Sequence, residues 1–288
     1  MRTQILLPIF IRHNGAPARC RCKMLLRTAD LSPLRLVAVT QEALTPPYIS
    51  LSLIRGFELH IEEKTVAVPR SAQRLMAFVA LQDRAVQRLH ASGVLWNDVS
   101  EQQANSCLRS ALWRTPSPYG ERLVQASGTH LWLNPSVQVD FQDVVSRAVS
   151  IVNSQETGSE PQELVGQLGL FRSDLLPDWY EDWVLVEQER FRQLRLHALE
   201  TICERLTSAG RYALALEAGL AAVACEPLRE SAQRQVIGVH LLEGNLTEAL
   251  RQYHRYARLL ADQLGASPSP PLRRMLEAAV GQSELTLL

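Results

Sequence analysis

"FRSDLLPDWYEDWVLVEQERFRQLRLHALE", residues 171–200, decides how the rest of the chain is read. Trp179, Tyr180 and Trp183 fall within five residues, carboxylates surround them, and a long charged helical pattern follows. Such a stretch is a ligand-binding aromatic box, an acid/base site, or the packed start of an interaction domain. Asp178, Glu181 and Asp182 are spaced for the first turn of a helix, where negative charge complements the helix dipole, and Pro177 with Asp178 marks its start. No histidine, nucleophile or metal-ligand pair stands with them. Trp179, Tyr180 and Trp183 are therefore expected to pack the lead-in segment onto the first long helix, with a ligand or partner pocket as the alternative.

The periodicity on the C-terminal side is helical. After Ser154 the chain reads as helix to its end, and Phe191, Leu194, Ala198, Ile202 and Leu206 step by three and four until Gly210. An internal repeat then appears: Gly210 and Gly244 are 34 residues apart, and SAGRYALALEAG aligns with LEGNLTEALRQY. In that register Tyr212 matches Leu246, Ala215 matches Ala249 and Leu216 matches Leu250. A helix–turn–helix of this length is the tetratricopeptide period. Two copies bury too little alone, so the helix before Gly210 and the one after Pro271 are expected to complete the stack.

Toward the N-terminus the period changes to two. Ile49, Leu51 and Leu53, then Phe57, Leu59 and Ile61, then Val66 and Val68 read as short antiparallel strands that end at Pro69. Arg70–Gln82 spaces Leu75, Met76 and Val79 as a helix face, and a weaker helix ends at Leu95-Trp96. Ser100 with Gln103 fits a capping box, so a third helix should start at Glu101 and stop before Pro116. Ser127-Gly128 between two alternating apolar runs signals a hairpin. Strands, three helices and a terminal hairpin are the order of a winged helix-turn-helix.

The third helix carries Ala104, Leu108, Ala111 and Leu112 on one face. Gln102, Gln103, Ser106, Arg109, Ser110, Trp113 and Arg114 occupy the other. Arginine forks to guanine edges or phosphates and glutamine pairs with adenine, so this face suits a major groove; an ordinary solvated face is the plain alternative. Trp113 argues against plain solvation, unless it packs under the wing.

Composition sets the remaining bounds. The chain has 288 residues, 46% of them apolar, which suits two domains. Thirty basic residues balance thirty acidic ones, and nearly all the bases are arginine. Residues 48–150 are almost neutral, whereas residues 161–288 are net acidic and better suited to a protein or small ligand than to DNA. The five cysteines show no framework spacing, so a reduced cytosolic protein is expected; Cys20-x-Cys22 lacks a partner pair and is not read as a metal site. Residues 1–47 form a basic segment whose apolar run, broken by Pro8, is too short for a membrane span. It reads as a disordered tail, a start assigned too early, or a basic arm that helps hold nucleic acid. The seven histidines are dispersed, and no G-x-G-x-x-G after a strand, H-E-x-x-H or G-x-S-x-G occurs, so no enzyme, cofactor or metal is expected.

These two halves in this order resemble the bacterial antibiotic-regulatory-protein (SARP) type of transcriptional activator, which joins an OmpR-like winged helix to a bacterial transcriptional activator domain of tetratricopeptide-like helices. The pattern F-x-x-x-L-L-P-x-W-Y-x-x-W-V-x-x-E-x-E-x-x-R from Phe171 to Arg192 resembles the entry to that second domain, and GNLTEALRQYHRYARLLADQLGASPSPPL resembles its last repeat. The likeness covers residues 50–282 and is more specific in the second half. The sequence departs from the pattern at Gln87, where an N-capping Ser or Thr is expected, and at Gly93 in mid-helix, each costing roughly 1 kcal/mol. The third helix is also less basic than in many relatives. There is no G-x-x-x-x-G-K-[ST] nucleotide-binding motif.

The resemblance implies a mainly α fold with a small β component. Residues 1–47 form the basic segment, 48–150 the winged helix, 151–161 a linker and 162–283 the tetratricopeptide-like domain. It implies a promoter-reading regulator on double-stranded DNA at direct-repeat sites, located in the cytoplasm on the nucleoid. RNA polymerase or a second protomer is the expected partner, and no membrane is involved. Expected DNA contacts are Gln102, Gln103, Ser106, Arg109, Ser110, Trp113 and Arg114, with Thr129 and His130 of the wing. The rival expectation is a tetratricopeptide-type adaptor or ligand sensor whose winged helix has little DNA affinity.

Overall fold

The computed structural model describes residues 48–153 and 161–285. In chain order these form β1 (Ile49–Ser52), β2 (Glu58–Ile61), β3 (Lys64–Thr65), α1 (Arg70–Ala80), β4 (Val86–Gln87), α2 (Arg88–Leu95) and α3 (Glu101–Arg114). There follow β5 (Val124–Ala126), β6 (His130–Leu133), β7 (Val137–Val139), α4 (Asp140–Asn153), α5 (Pro161–Leu168), α6 (Asp182–Ser208), α7 (Tyr212–Cys225), α8 (Glu230–Leu242), α9 (Leu246–Leu264) and α10 (Pro270–Leu285). The N-terminal basic segment, with Cys20 and Cys22, and most of the expected linker lie outside the described residues.

The first sheet has the order β3-β2-β1-β7. Alternation places Ile49, Leu51 and Leu53 in the core, and β1 pairs antiparallel with β2, Leu51 opposite Leu59. The sequence patterning missed β7, which joins β1 in parallel with Leu51 opposite Val139. The second sheet, β4-β6-β5, contains the expected hairpin. Its third strand, the short β4, pairs Val86 with Leu131 and Gln87 with His130 and so fastens the start of α2 to the wing. Gln87 is the N-cap of α2, and its side chain makes no cap hydrogen bond.

The helical part begins earlier than the patterning indicated. The expected boundary at residue 150 falls inside α4, whose Val144, Ala148 and Ile151 are buried. Phe141 meets Phe191 of α6 edge-on at 5.4 Å. The Asp140 carboxylate anchors the start of α4 by accepting from Ser52 Oγ (2.5 Å), Leu53 N (2.8 Å) and Ile54 N (3.2 Å).

Helix α6 begins later than expected, at Asp182 with Glu181 as N-cap, so only Asp182 of the three acids lies in its first turn. The preceding residues are held off the helical path, with Leu176 at a φ of 42°, because they pair with the chain just beyond β1. Leu176 N donates to Leu53 O and Arg55 N donates to Asp174 O, both at 2.9 Å. Buried Arg195 holds the same segment, with Nη1 on Ser173 O at 2.5 Å and Nη2 on Asp174.

The internal repeat is visible in the backbone. Gly210 and Gly244 adopt φ of 69° and 78°, the left-handed conformation that ends a helix, and α7 and α9 start two residues beyond them. Ala215 and Ala249, matched in the repeat, are both fully buried. One continuous core runs from Ile49 through Val239, and a smaller one gathers Ile237, Ala249, Tyr256, Leu260, Leu272 and Leu276 among α8, α9 and α10.

Candidate nucleic-acid interface

Helix α3 is built as its sequence dictates. The Ser100 hydroxyl accepts from Gln103 N at 3.4 Å, satisfying one of the amides left open at a helix start. Ala104, Leu108, Ala111 and Leu112 are buried against the domain, and Thr115 returns its hydroxyl to Ala111 O at 3.1 Å before Pro116. With one face fixed, all seven residues of the opposite face are exposed: Gln102, Gln103, Ser106, Arg109, Ser110, Trp113 and Arg114.

Within that face Arg109 Nη2 donates to Ser106 Oγ at 2.6 Å, which aligns the guanidinium along the helix. Arg114 Nη1 reaches Ser71 Oγ of α1 at 3.5 Å. Trp113 does not pack under the wing; its side chain is 78% exposed. The hairpin tip is ordered by local hydrogen bonds. Ser127 Oγ accepts from His130 N at 3.0 Å, and Thr129 Oγ1 lies 2.9 Å from His130 Nδ1. Thr129 is exposed and His130 half-buried.

Two residues that the patterning passed over extend the surface. Arg88, the first residue of α2, has its amide bound to Thr129 O at 2.9 Å and its guanidinium 3.4 Å from Ser127 O, so it sits between α2 and the wing. Leu89 beside it is exposed. The missed signal was β4, too short to show alternation.

The aromatic cluster of residues 179–183 serves the junction. Trp179, 4% exposed, stacks on Phe57 at 6.2 Å and meets Trp183 edge-on at 6.2 Å. Trp183 in turn meets Phe78 of α1 at 5.3 Å, and the Arg70 guanidinium lies 3.9 Å from the Trp179 ring centre. These two indoles pack against the winged helix as well as the start of α6. Tyr180 departs from the expectation and is 79% exposed. Trp179, through Phe57 and Arg70, and Glu181, through Arg74, both contact the winged helix, while Tyr180 between them faces solvent.

Among the described residues no group of His, Cys, Asp and Glu is arranged to hold a metal ion. No helix among them is long and apolar enough to cross a membrane.

Residues 139–279 match the family model of the bacterial transcriptional activator domain. The chain is similar to the regulatory protein AfsR of Streptomyces coelicolor, 23% identical over 235 residues that cover 76% of this chain and 23% of that protein. AfsR of Streptomyces griseus is 24% identical over 220 residues, with 75% and 23% covered. The chain thus spans about a quarter of the length of these relatives. Among solved structures, Mycobacterium tuberculosis EmbR in complex with a low-affinity phosphopeptide shares the fold, with a TM-score of 0.68 and 19% identity over 82% of this chain and 66% of that one. A winged helix-turn-helix followed by tetratricopeptide-like helices, with the activator-domain match over residues 139–279, makes this chain similar to the SARP-type regulatory proteins.

Proposed function

We propose that this chain is a sequence-specific DNA-binding transcriptional regulator, acting as an activator, and not an enzyme. The observation that carries this reading is the α3 face, where two arginines, two glutamines, two serines and an exposed indole project from a helix whose other side is buried. In the major groove Arg109 and Arg114 would fork to guanine edges or phosphate, and Gln102, Gln103, Ser106 and Ser110 would supply further hydrogen bonds. Thr129 and His130 would reach the adjacent backbone from the wing. The helical part, net acidic, would meet RNA polymerase or a second protomer at paired, directly repeated sites. Such work lies in the cytoplasm, on the nucleoid.

A second reading, a tetratricopeptide-type adaptor or ligand sensor, draws on an open groove of about 380 Å³ between α6 and α8. Its walls include Glu204, Ser208, Arg234 and Leu242.

Selection of bound genomic fragments with purified protein, followed by titration at two salt concentrations, separates the readings. A regulator making about four to six phosphate contacts loses roughly 10²–10³ in affinity between 50 and 200 mM salt. It also prefers the selected fragment to a scrambled duplex. No enrichment, with equally weak binding to every duplex, would shift the assignment to the adaptor.

A further inference from the structure

Glu181 precedes α6, yet its charge is spent on the winged helix. Its Oε1 lies 3.1 Å from Arg74 Nε and 3.5 Å from Arg70 Nη2, both on α1. Glu181 and Arg74 are each about a quarter exposed, whereas Arg70 is half-exposed. The far end of Arg74 turns the other way, and its Nη2 donates to Leu95 O at 2.5 Å. Leu95 is the last residue of α2, and the turn that follows leads into α3 at Glu101. Arg74 also lies 5.8 Å from the Trp96 ring, the first residue of that turn.

The guanidinium thus caps the C-terminal end of α2, where open carbonyls and the negative pole of the helix attract a cation. Arginine presents its donors as a planar fork, so fixing one edge of the plane fixes the other. Arg74 Nε makes no hydrogen bond, so the Glu181 carboxylate acts on this plane as an ion-pair partner, its charge favouring the orientation that carries Nη2 to Leu95 O. From these contacts we propose that Glu181 is a positioning residue for the reading helix. The helical domain, through Glu181 and Arg74, holds the turn between α2 and α3 and so sets the pitch at which α3 is presented. The consequence for DNA recognition rests on the regulator reading above; the mechanical link does not.

Amide hydrogen exchange on the full chain tests the link without DNA. Glu181→Gln is expected to raise exchange at Trp96–Ser100 several-fold and to leave α8, α9 and α10 unchanged, because loss of one tether opens a local unit. Arg74→Gln should do the same, and adding Glu181→Gln to it should change nothing more, since both act through one connection. Arg70→Gln, which keeps the Glu181–Arg74 contact, should leave the turn protected. Unchanged exchange at Trp96–Ser100 in Glu181→Gln would overturn the proposal. So would additive effects in the double variant, or a rise spread over the distant helices. Glu181→Gln should further lower affinity for the selected DNA about tenfold, with the slope of affinity against salt preserved because no phosphate contact is removed. Full affinity in a variant whose turn has loosened would overturn the role in presenting α3. A wild-type chain that binds no DNA selectively would overturn the regulator reading instead and leave the exchange result to judge the link.

Discussion

The indole of Trp179 stacks on the ring of Phe57, their centroids 6.2 Å apart and their planes inclined by 19°, so the lead-in to α6 is packed onto the loop between β1 and β2. Trp179 is buried, and Trp179→Ala is expected to cost about 3 kcal/mol or more by opening a cavity between the two parts. The neighbouring Tyr180→Ala removes an exposed ring and should stay within about 0.5 kcal/mol of the parent. Urea unfolding of both variants measures the contrast.

Gly219 of α7 sits where a Cβ would lie 2.8 Å from Val236 Cγ2 and 3.2 Å from Cys203 Sγ. All three positions are buried, so Gly219→Ala must push α7 away from its neighbours, at a cost of roughly 1–3 kcal/mol. Gly238 of α8 has open space around the same atom, and Gly238→Ala should stabilise by about 0.5–1 kcal/mol through helix propensity alone. Opposite shifts of thermal midpoint, read by circular dichroism, are the expected result.

Arg109 and Arg114 are exposed and take no part in the core, so their replacement by alanine should leave unfolding unchanged. Each substitution is expected to reduce DNA affinity by about 1–3 kcal/mol if the fork reads a base, with preference relaxed at one position of the site. A uniform loss with a salt slope smaller by about one would assign that arginine to phosphate. Fluorescence anisotropy with matched and mismatched duplexes decides between the two.

Glu200 joins α6 to the start of α8, accepting from Arg229 Nε and Nη2, both at 2.9 Å, and from Ser231 Oγ at 2.5 Å. Burial pushes its carboxyl up, but the hydrogen bonds and charge of Arg229, with Ser231, outweigh that effect and hold it below the ordinary range. A folded-state value below the unfolded one gives stability that is complete above the unfolded value, about 4.3. It is lost as pH falls through the folded value. Glu200→Gln should therefore lower stability at neutral pH by roughly 1–3 kcal/mol, narrowing its gap to the parent as pH drops below about 4. Glu189, held at about 2 by Arg192 and Gln193, is more than half exposed, so solvent screening leaves its pair little weight. Denaturant titrations at several pH values check both statements.

Short-range signals were legible wherever a local rule acts alone. The Ser100 cap and the two faces of α3 depend on residues a few positions apart, the Gly210–Gly244 period on one local helix-stop signal that recurs, and each appears in the structure as its spacing implies. Contacts made across long loops left no such trace. Strand β7 is three residues long and is defined by a partner almost ninety positions earlier, and Asp140 looks like any helix-starting acid until Leu53 and Ile54 are placed against it. In sequence Glu181 reads as a first-turn acid because the same spacing also serves an N-cap, and the pairing of Leu176 with Leu53 delays the helix. For the candidate interface, the sequence indicates the exposed side of α3 but not Arg88, which reaches the wing only through β4.

The position of β1 has a practical consequence. It is an inner strand, flanked by β2 on one side and by β7, which follows the wing, on the other. A fragment ending at the hairpin would keep every residue of α3 and the wing, yet would leave β1 with an open edge and the amides of Leu53 and Ile54 without their acceptor. An unpaired edge of alternating apolar residues invites pairing with another chain. Such a truncated domain should self-associate, whereas the full chain, in which β7 covers that edge and α6 covers α4, should remain monodisperse.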